Sequence, residues 1–454
     1  MYVHVRFAGL FRDTRAGCRD GLELHVHAGL VRLAAGPEGG RPPPALLSVL
    51  VVRWWDYWSN ATWSDYSVTN DGLIRDLIDG ECGIYPTLAG EYEMYTAFVK
   101  HTSDLDRLSA HWAQAALQGR NTVAWYFLWP QQFVSADQGG GSVREQALFA
   151  LCQRMERAGI RGGWPHPSSL YRQLCGKLWI PQMSLNREYR VPPTTRVQYA
   201  DLHGDPRGAA ERAVGRLLAI RREVWGEPDV PADEFRGVAK LGFSWQGDDV
   251  LPFHGVDNLA RVLVKLFEQK HCEQLLCLVQ EMIPDVVCEY RVLCFLDAAA
   301  GSYARERLWM RMKARGEHHN HQGVCEVEEF ALTSANVLSG EQAAADFFAG
   351  DRGSRDQAAA AADGLVGRWL LWLATECGEP PPVTRLDFLI SHRRGAGGPP
   401  AAWTCEVGEC GASLCSVECD ARNRSTLNWA VREDPAGRFP LPLPAIRRNS
   451  GWKS

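Results

Sequence analysis

Arg385-Leu386-Asp387-Phe388-Leu389-Ile390 is followed, across a Gly/Pro-rich run from Arg393 to Pro400, by Trp403-Thr404-Cys405-Glu406-Val407-Gly408-Glu409. Two short apolar runs separated by turn residues predict two adjacent antiparallel strands, Thr384 to Ile390 and Trp403 to Val407. Each strand carries one acid, Asp387 or Glu406, among apolar neighbours. An unpaired carboxylate is costly to bury, so the pair predicts a cation between them. Oxygen ligands in a partly open site suit Mg2+ held on nucleotide phosphates. The alternative is two acids on the solvent face of a hairpin.

Moving upstream, Leu276-Cys277-Leu278-Val279 runs straight into Gln280-Glu281-Met282-Ile283, and Glu289-Tyr290-Arg291-Val292 follows. An apolar strand ending this way sets backbone groups beside an apolar wall, which suits a flat purine needing edge hydrogen bonds and burial. Glu289 is placed to take a ribose hydroxyl, and Arg291 to reach a phosphate or acyl group. A plain strand–turn–strand with exposed charges is the alternative. Further upstream, the strand Phe235 to Leu241 delivers Lys240 into a loop containing Gly242 and Gly247. An ammonium and free backbone N–H groups in that setting suit a polyphosphate, although a lysine at a strand end is commonly just solvated. Before it come Gly176-Lys177-Leu178-Trp179, at the end of an expected helix, and the phrase Pro192-Pro193-Thr194.

A helix lysine, a Pro-Pro-Thr phrase, a strand lysine with a glycine loop, a Gln-Glu-x-Ile hinge with Glu-x-Arg, and an Asp…Glu pair occur here in that order. The series resembles the ATP-grasp superfamily, which includes D-alanine–D-alanine ligase, glutathione synthetase and the ribosomal-protein glutamate ligases. The likeness covers residues 160 to 427. It implies an α/β (α+β) chain with the ATP-grasp fold, two α/β lobes clamping a nucleotide behind an N-terminal α/β lobe. Lys177 then matches the first nucleotide lysine. Lys240 matches the second, on the α- and β-phosphates, with Gly242 to Gly247 closing over them. Glu281 and Ile283 fall at the adenine, Glu289 at the ribose, and Arg291 and Arg311 at the transferring phosphoryl group. Asp387 and Glu406 match magnesium acids. Where the family carries an asparagine this chain has Gly408, and Glu409 is the candidate replacement.

ATP and Mg2+ are the cofactors so implied, and the reaction is an ADP-forming ligation. A small-molecule or peptide carboxylate would be activated as an acyl phosphate and attacked by an amine or thiol. A hydroxyl kinase on the same fold, a non-catalytic nucleotide binder, and a metal module built on the cysteines from 405 to 419 are the competing readings.

The rest of the chain sets bounds. Its 454 residues suggest two or three domains. The expected divisions are a poorly ordered leader at 1–48, an N-terminal α/β substrate lobe at 49–160, a linker and first segment at 161–230, a nucleotide- and metal-binding domain at 231–430, and an extended tail at 431–454. Within the N-terminal lobe, Thr122 to Leu128 reads as a strand, and Ser142-x-x-Glu145 as a capping box opening a helix that stops at Gly159. A balance of 49 basic against 54 acidic residues argues against a nucleic-acid partner. No apolar run is long enough for a membrane span. Fourteen scattered cysteines without an export signal fit a reducing cytoplasm. The His318–Gln322 run reads as a solvated loop, and oligomeric state is not legible.

Overall fold

The computed structural model describes residues 24–27, 47–54, 92–99, 102–108, 122–127, 133–134, 141–164, 167–242, 250–270, 276–297, 302–311, 337–377, 383–393 and 398–408. The first sheet is mostly parallel. Its strands are β1 (Leu24–His27), β2 (Leu47–Trp54), β3 (Tyr92–Val99), β4 (Thr122–Phe127) and β7 (Arg161–Trp164), in the order β1-β3-β2-β4-β7. Only β1 runs antiparallel to its neighbour. Thus the segment expected to be an unordered leader contributes a strand.

Helix α1 (Thr102–Arg107) follows β3, the two-residue strands β5 (Phe133–Val134) and β6 (Gly141–Ser142) pair with each other, and α2 (Glu145–Arg157) leads back to β7. Leu148, Leu151, Cys152 and Met155 make one buried face of α2, at the spacing of a helix packed on a core. Gly159, at φ +85°, ends it as expected. The capping box does not form. Ser142 is committed to β6, so Arg144 is the N-cap and no side chain caps the helix.

The second sheet is antiparallel, in the order β10-β9-β11-β8. Its strands are β8 (Thr194–Gln198), β9 (Arg236–Leu241), β10 (Val250–His254) and β11 (Leu276–Glu281). Before it the chain forms α3 (Ser168–Leu174) and α4 (Trp179–Met183), and α5 (Pro206–Ile220) and α6 (Gly255–Lys270) cover one face. Leu259, Leu263 and Leu266 of α6 are fully buried against Phe253, Cys277 and Val279. Each such leucine contributes about 1.5–3 kcal/mol of transfer free energy. Asp257, an acid suited to a helix start, lies inside the first turn. Asn258 accepts the His254 N–H at 2.9 Å.

The third sheet, also antiparallel, has the order β14-β13-β12-β15-β16. It comprises β12 (Val286–Asp297), β13 (Ser302–Met310), β14 (Val337–Leu338), β15 (Val383–Ser391) and β16 (Ala401–Gly408). Between β14 and β15 lie α7 (Gly340–Phe348) and the long α8 (Arg352–Cys377). Ala358, Ala362, Leu365, Val366, Trp369 and Leu373 line the buried face of α8. Trp369 packs edge-on against Trp179 of α4, ring centroids 4.9 Å apart, and its indole N–H donates to Thr404 Oγ1 at 3.0 Å. One core therefore joins α3 and α4 to the third sheet. Two antiparallel α/β lobes behind a mostly parallel N-terminal sheet are the α/β architecture expected of an ATP-grasp chain.

Gly237 of β9 lies opposite both Phe253 and Glu281, and a Cβ there would press on the Gln280 carbonyl and stand 2.5 Å from the Phe253 ring. Gly237→Ala is expected to cost about 1–3 kcal/mol of stability through overpacking. The check is a lowered denaturation midpoint at unchanged m-value.

Candidate functional site

The second sheet brings Lys240, Gln280 and Thr194 side by side. Lys240 pairs with Leu278, and Gln280 pairs directly with Thr194. Lys240 is 6% exposed, and its ammonium donates to Gln280 Oε1 at 3.2 Å. The same amide donates from Nε2 to Thr194 Oγ1 at 2.8 Å, and Thr194 donates onward to the Pro192 carbonyl at 2.7 Å. Among the described residues, then, the hydrogen-bond partner of this buried cation is a neutral amide. Burial pushes the Lys240 pKa down, with nearby Lys177 adding to the effect. A desolvated ammonium without a bonded carboxylate is poised for an anion.

Lys177 approaches from the other side. It ends the short 3-10 turn Cys175–Lys177 rather than an α-helix. Gly176 and Lys177 both take left-handed backbone, at φ 76° and 57°, between α3 and α4. That kink points Lys177 toward β16, where its ammonium lies 3.7 Å from Glu406 Oε1. Gly242 closes the same corner. Its N–H donates to the Leu276 carbonyl at 2.8 Å, and a Cβ on it would stand 2.7 Å from the Gly176 carbonyl. Only glycine allows that approach.

The third sheet presents a ladder of alternating charge. Register sets Arg291 opposite Asp387 and Asp387 opposite Glu406. A bulge follows: Phe388 opposes Thr404, so Cys405 is the extra residue of β16. Arg291 Nη2 donates to Glu289 Oε1 at 2.9 Å and to Asp387 Oδ2 at 3.1 Å, and Arg291 Nε lies 2.9 Å from Asp387 Oδ1. Arg385 holds Asp387 from the other flank, Nε to Oδ1 at 3.1 Å and Nη2 to Oδ2 at 2.8 Å. The same Nη2 reaches Glu406 Oε2 at 2.9 Å. Glu289, Asp387 and Glu406 are thus matched one for one by Arg291, Arg385 and Lys177. Lys240 is the charge left over.

Burial raises the Glu289 pKa to about 7, against the pull of Arg291. Burial alone would also raise Glu406, but Lys177, Arg385, Arg291 and Lys240 together hold it down at about 2. Arg291 Nη1 is buried and has no hydrogen-bond partner.

Other expected site residues fall elsewhere. The Glu281 N–H donates to the Pro193 carbonyl at 2.9 Å, and its side chain forms an ion pair with Arg221. Arg221 opens the π-turn Arg221–Trp225 that ends α5, and it also holds Glu227 and the Pro228 carbonyl. Ile283 follows, half-buried. Arg311 is exposed just beyond β13, paired with Asp346 of α7 and not with the ladder. Gly247, Glu409, the His318–Gln322 run, Cys410, Cys415 and Cys419 lie outside the described residues. Among the described residues, no group of three or more His, Cys, Asp or Glu is arranged to hold a metal.

Sequence reading passed over Arg385, Gln280 and Arg221 as site residues. The signal for Arg385 was present, because residues two apart on a strand share a face and Arg385 therefore accompanies Asp387.

No protein-family model and no curated protein matches the chain. Among solved structures it is similar to the D-cycloserine synthetase DcsG, at 16% identity and TM-score 0.44, covering 89% of this chain and 99% of that one. It is similar also to D-alanine–D-alanine ligase from Bacillus anthracis, at 12% identity and TM-score 0.43, covering 89% and 96%. A third is an ADP complex of the N5-carboxyaminoimidazole ribonucleotide synthetase purK, at 10% and 0.39, covering 80% and 70%. Among the described residues, no helix is long and apolar enough to cross a membrane.

The two shifted acids give opposite pH dependences. The folded Glu289 carboxyl titrates above its ordinary 4.5, so its contribution to stability declines as pH rises from 4.5 to about 7. Folded Glu406 titrates below 4.5, so its contribution is lost as pH falls from 4.5 to about 2. Unfolding free energies measured across pH should show the first decline in the parent protein and lack it in Glu289→Gln.

Proposed function

We propose that the cleft between the second and third sheets binds ATP, and that the protein is an ATP-grasp ligase activating a carboxylate for attack by an amine or thiol. The observation that carries this reading is Lys240, a buried cation bonded to a neutral amide and facing a ladder whose own charges are already balanced. Such a site has surplus positive charge and no surplus acid, which is what a polyphosphate needs.

Adenine would lie along the end of β11 near Ile283, on the apolar wall, with the phosphates running toward Lys240 and Lys177. The free Arg291 Nη1 donor suits an oxyanion that develops during transfer. The carboxylate oxygen attacks the γ-phosphorus and the bond to the β-phosphate oxygen breaks, giving acyl phosphate and ADP. An amine or thiol then attacks the acyl carbon, and inorganic phosphate leaves. No enzyme nucleophile is needed, so positioning and charge neutralisation supply the catalysis. Neither Asp387 nor Glu406 offers an open oxygen pair to Mg2+, since both Asp387 oxygens and Glu406 Oε2 already receive arginine N–H groups. The steps above therefore use only the chain's own residues. The substrates fitting this chemistry are a small-molecule or peptide carboxylate and an amine or thiol acceptor.

ATP at ~100 times its dissociation constant should add about 2.7 kcal/mol of stability, visible as a raised melting temperature. Lys240→Met should abolish that shift while raising the melting temperature of the ligand-free protein, because an uncompensated buried charge is replaced by an apolar chain of similar length. An unshifted parent protein at millimolar ATP overturns the nucleotide reading. If binding holds, ADP release that requires both a carboxylate and an amine or thiol supports the ligase, and release on addition of an alcohol alone overturns it.

A further inference from the structure

Asp387 and Glu406 stand in register across β15 and β16, where two facing acids would ordinarily share a cation. That place is filled. The Arg385 guanidinium, almost fully buried, bridges them with contacts of 2.8 Å to Asp387 and 2.9 Å to Glu406. Gly408 is the residue directly opposite Arg385. A Cβ at 408 would stand 3.2 Å from Arg385 Nε and 3.3 Å from its Cβ, so a side chain there would press on the arginine. Glycine at 408 both withholds a third ligand and leaves room for the guanidinium.

We propose that the Arg385 guanidinium takes the place of a divalent cation between Asp387 and Glu406, so that charge at this end of the cleft is supplied by the chain and the pair binds no metal. A guanidinium is planar, always charged, and presents several donors in a fixed fork, which suits two carboxylates at once. Magnesium instead demands near-octahedral oxygens at ~2.0–2.1 Å. To reach them it would have to displace Arg385 from Asp387 and Glu406, while Arg291 holds the far side of Asp387. It would also add two positive charges to three acids already matched by three cations, with nothing further to offset them among the described residues. Any magnesium in the cleft would then be held by the nucleotide phosphates.

The significance of this substitution rests on the nucleotide reading, but its test does not. Mn2+ alone is added to the full chain without nucleotide, and unbound Mn2+ is counted from its electron paramagnetic resonance signal. The parent protein and Arg385→Lys should leave Mn2+ free. Arg385→Met should gain one bound Mn2+ per chain, lost again in Arg385→Met with Asp387→Asn. One Mn2+ bound by the parent protein and lost in Asp387→Asn overturns the proposal, and that comparison decides even if Arg385→Met fails to fold. A failure of ATP to bind would leave the Mn2+ result standing, so the two ideas fail separately.

Discussion

Burying ionised groups in a sheet is the constraint around which this molecule is organised. Glu289, Arg291, Asp387 and Arg385 are almost fully buried, and each would be destabilising alone. They coexist because antiparallel register puts opposite charges beside each other and because each guanidinium reaches two acids. Removing one member of such a set costs about 3–5 kcal/mol, since it leaves its partner charged and dry. The β-bulge at Cys405 belongs to the same solution. It shifts the register just past Asp387 and so keeps Asp387 opposite Glu406 while Thr404 turns to the Trp369 core.

That core in turn fixes how the lobes meet. Thr404 donates to the Tyr189 carbonyl at 2.6 Å, and its N–H donates to the Arg190 carbonyl at 2.9 Å. Arg190, held at φ 51°, lays its guanidinium 4.0 Å from the centre of the Trp403 ring and 5.7 Å from that of Trp225. Trp225 ends the π-turn that begins with Arg221, the partner of Glu281. A stack of one cation and two indoles therefore links the strand of Glu406 to the strand end beside the expected adenine wall. Aromatic faces attract a guanidinium while shielding it from water, which suits a half-buried joint between lobes.

Much of this was legible, and the limits have identifiable causes. Asp387 and Glu406 could be placed opposite each other because strand alternation and one turn fix a hairpin locally. The same alternation also carries Arg385, but a search for metal acids looks past an arginine two residues away. Lys177 was read on a helix because Gly176 breaks that helix only through its dihedral angles. Ser142 matches a capping box by spacing, yet strand pairing with Phe133 claims it first. Strand β13 was not anticipated because Arg305-Glu306-Arg307 interrupts its apolar pattern, and Arg307 stays exposed while pairing with Asp363 of α8 at 2.9 Å. Each miss is a contact between residues far apart in sequence, or a backbone angle that composition does not encode.

Lys240 shows why the balance of the ladder matters beyond stability. Glu406 acts on Lys240 through its charge but does not pair with it. Instead Arg385 and Lys177 occupy Glu406, and Gln280 orients the ammonium without compensating it. The amide is itself fixed by Thr194, so its oxygen faces the lysine and cannot turn away without losing a second bond. One neutral amide, braced by a hydroxyl, thus holds a cation at an energetic disadvantage, offset by the large apolar core beneath it. A polyanion bound as proposed would remove that disadvantage, so part of its affinity would be stored in the ligand-free fold.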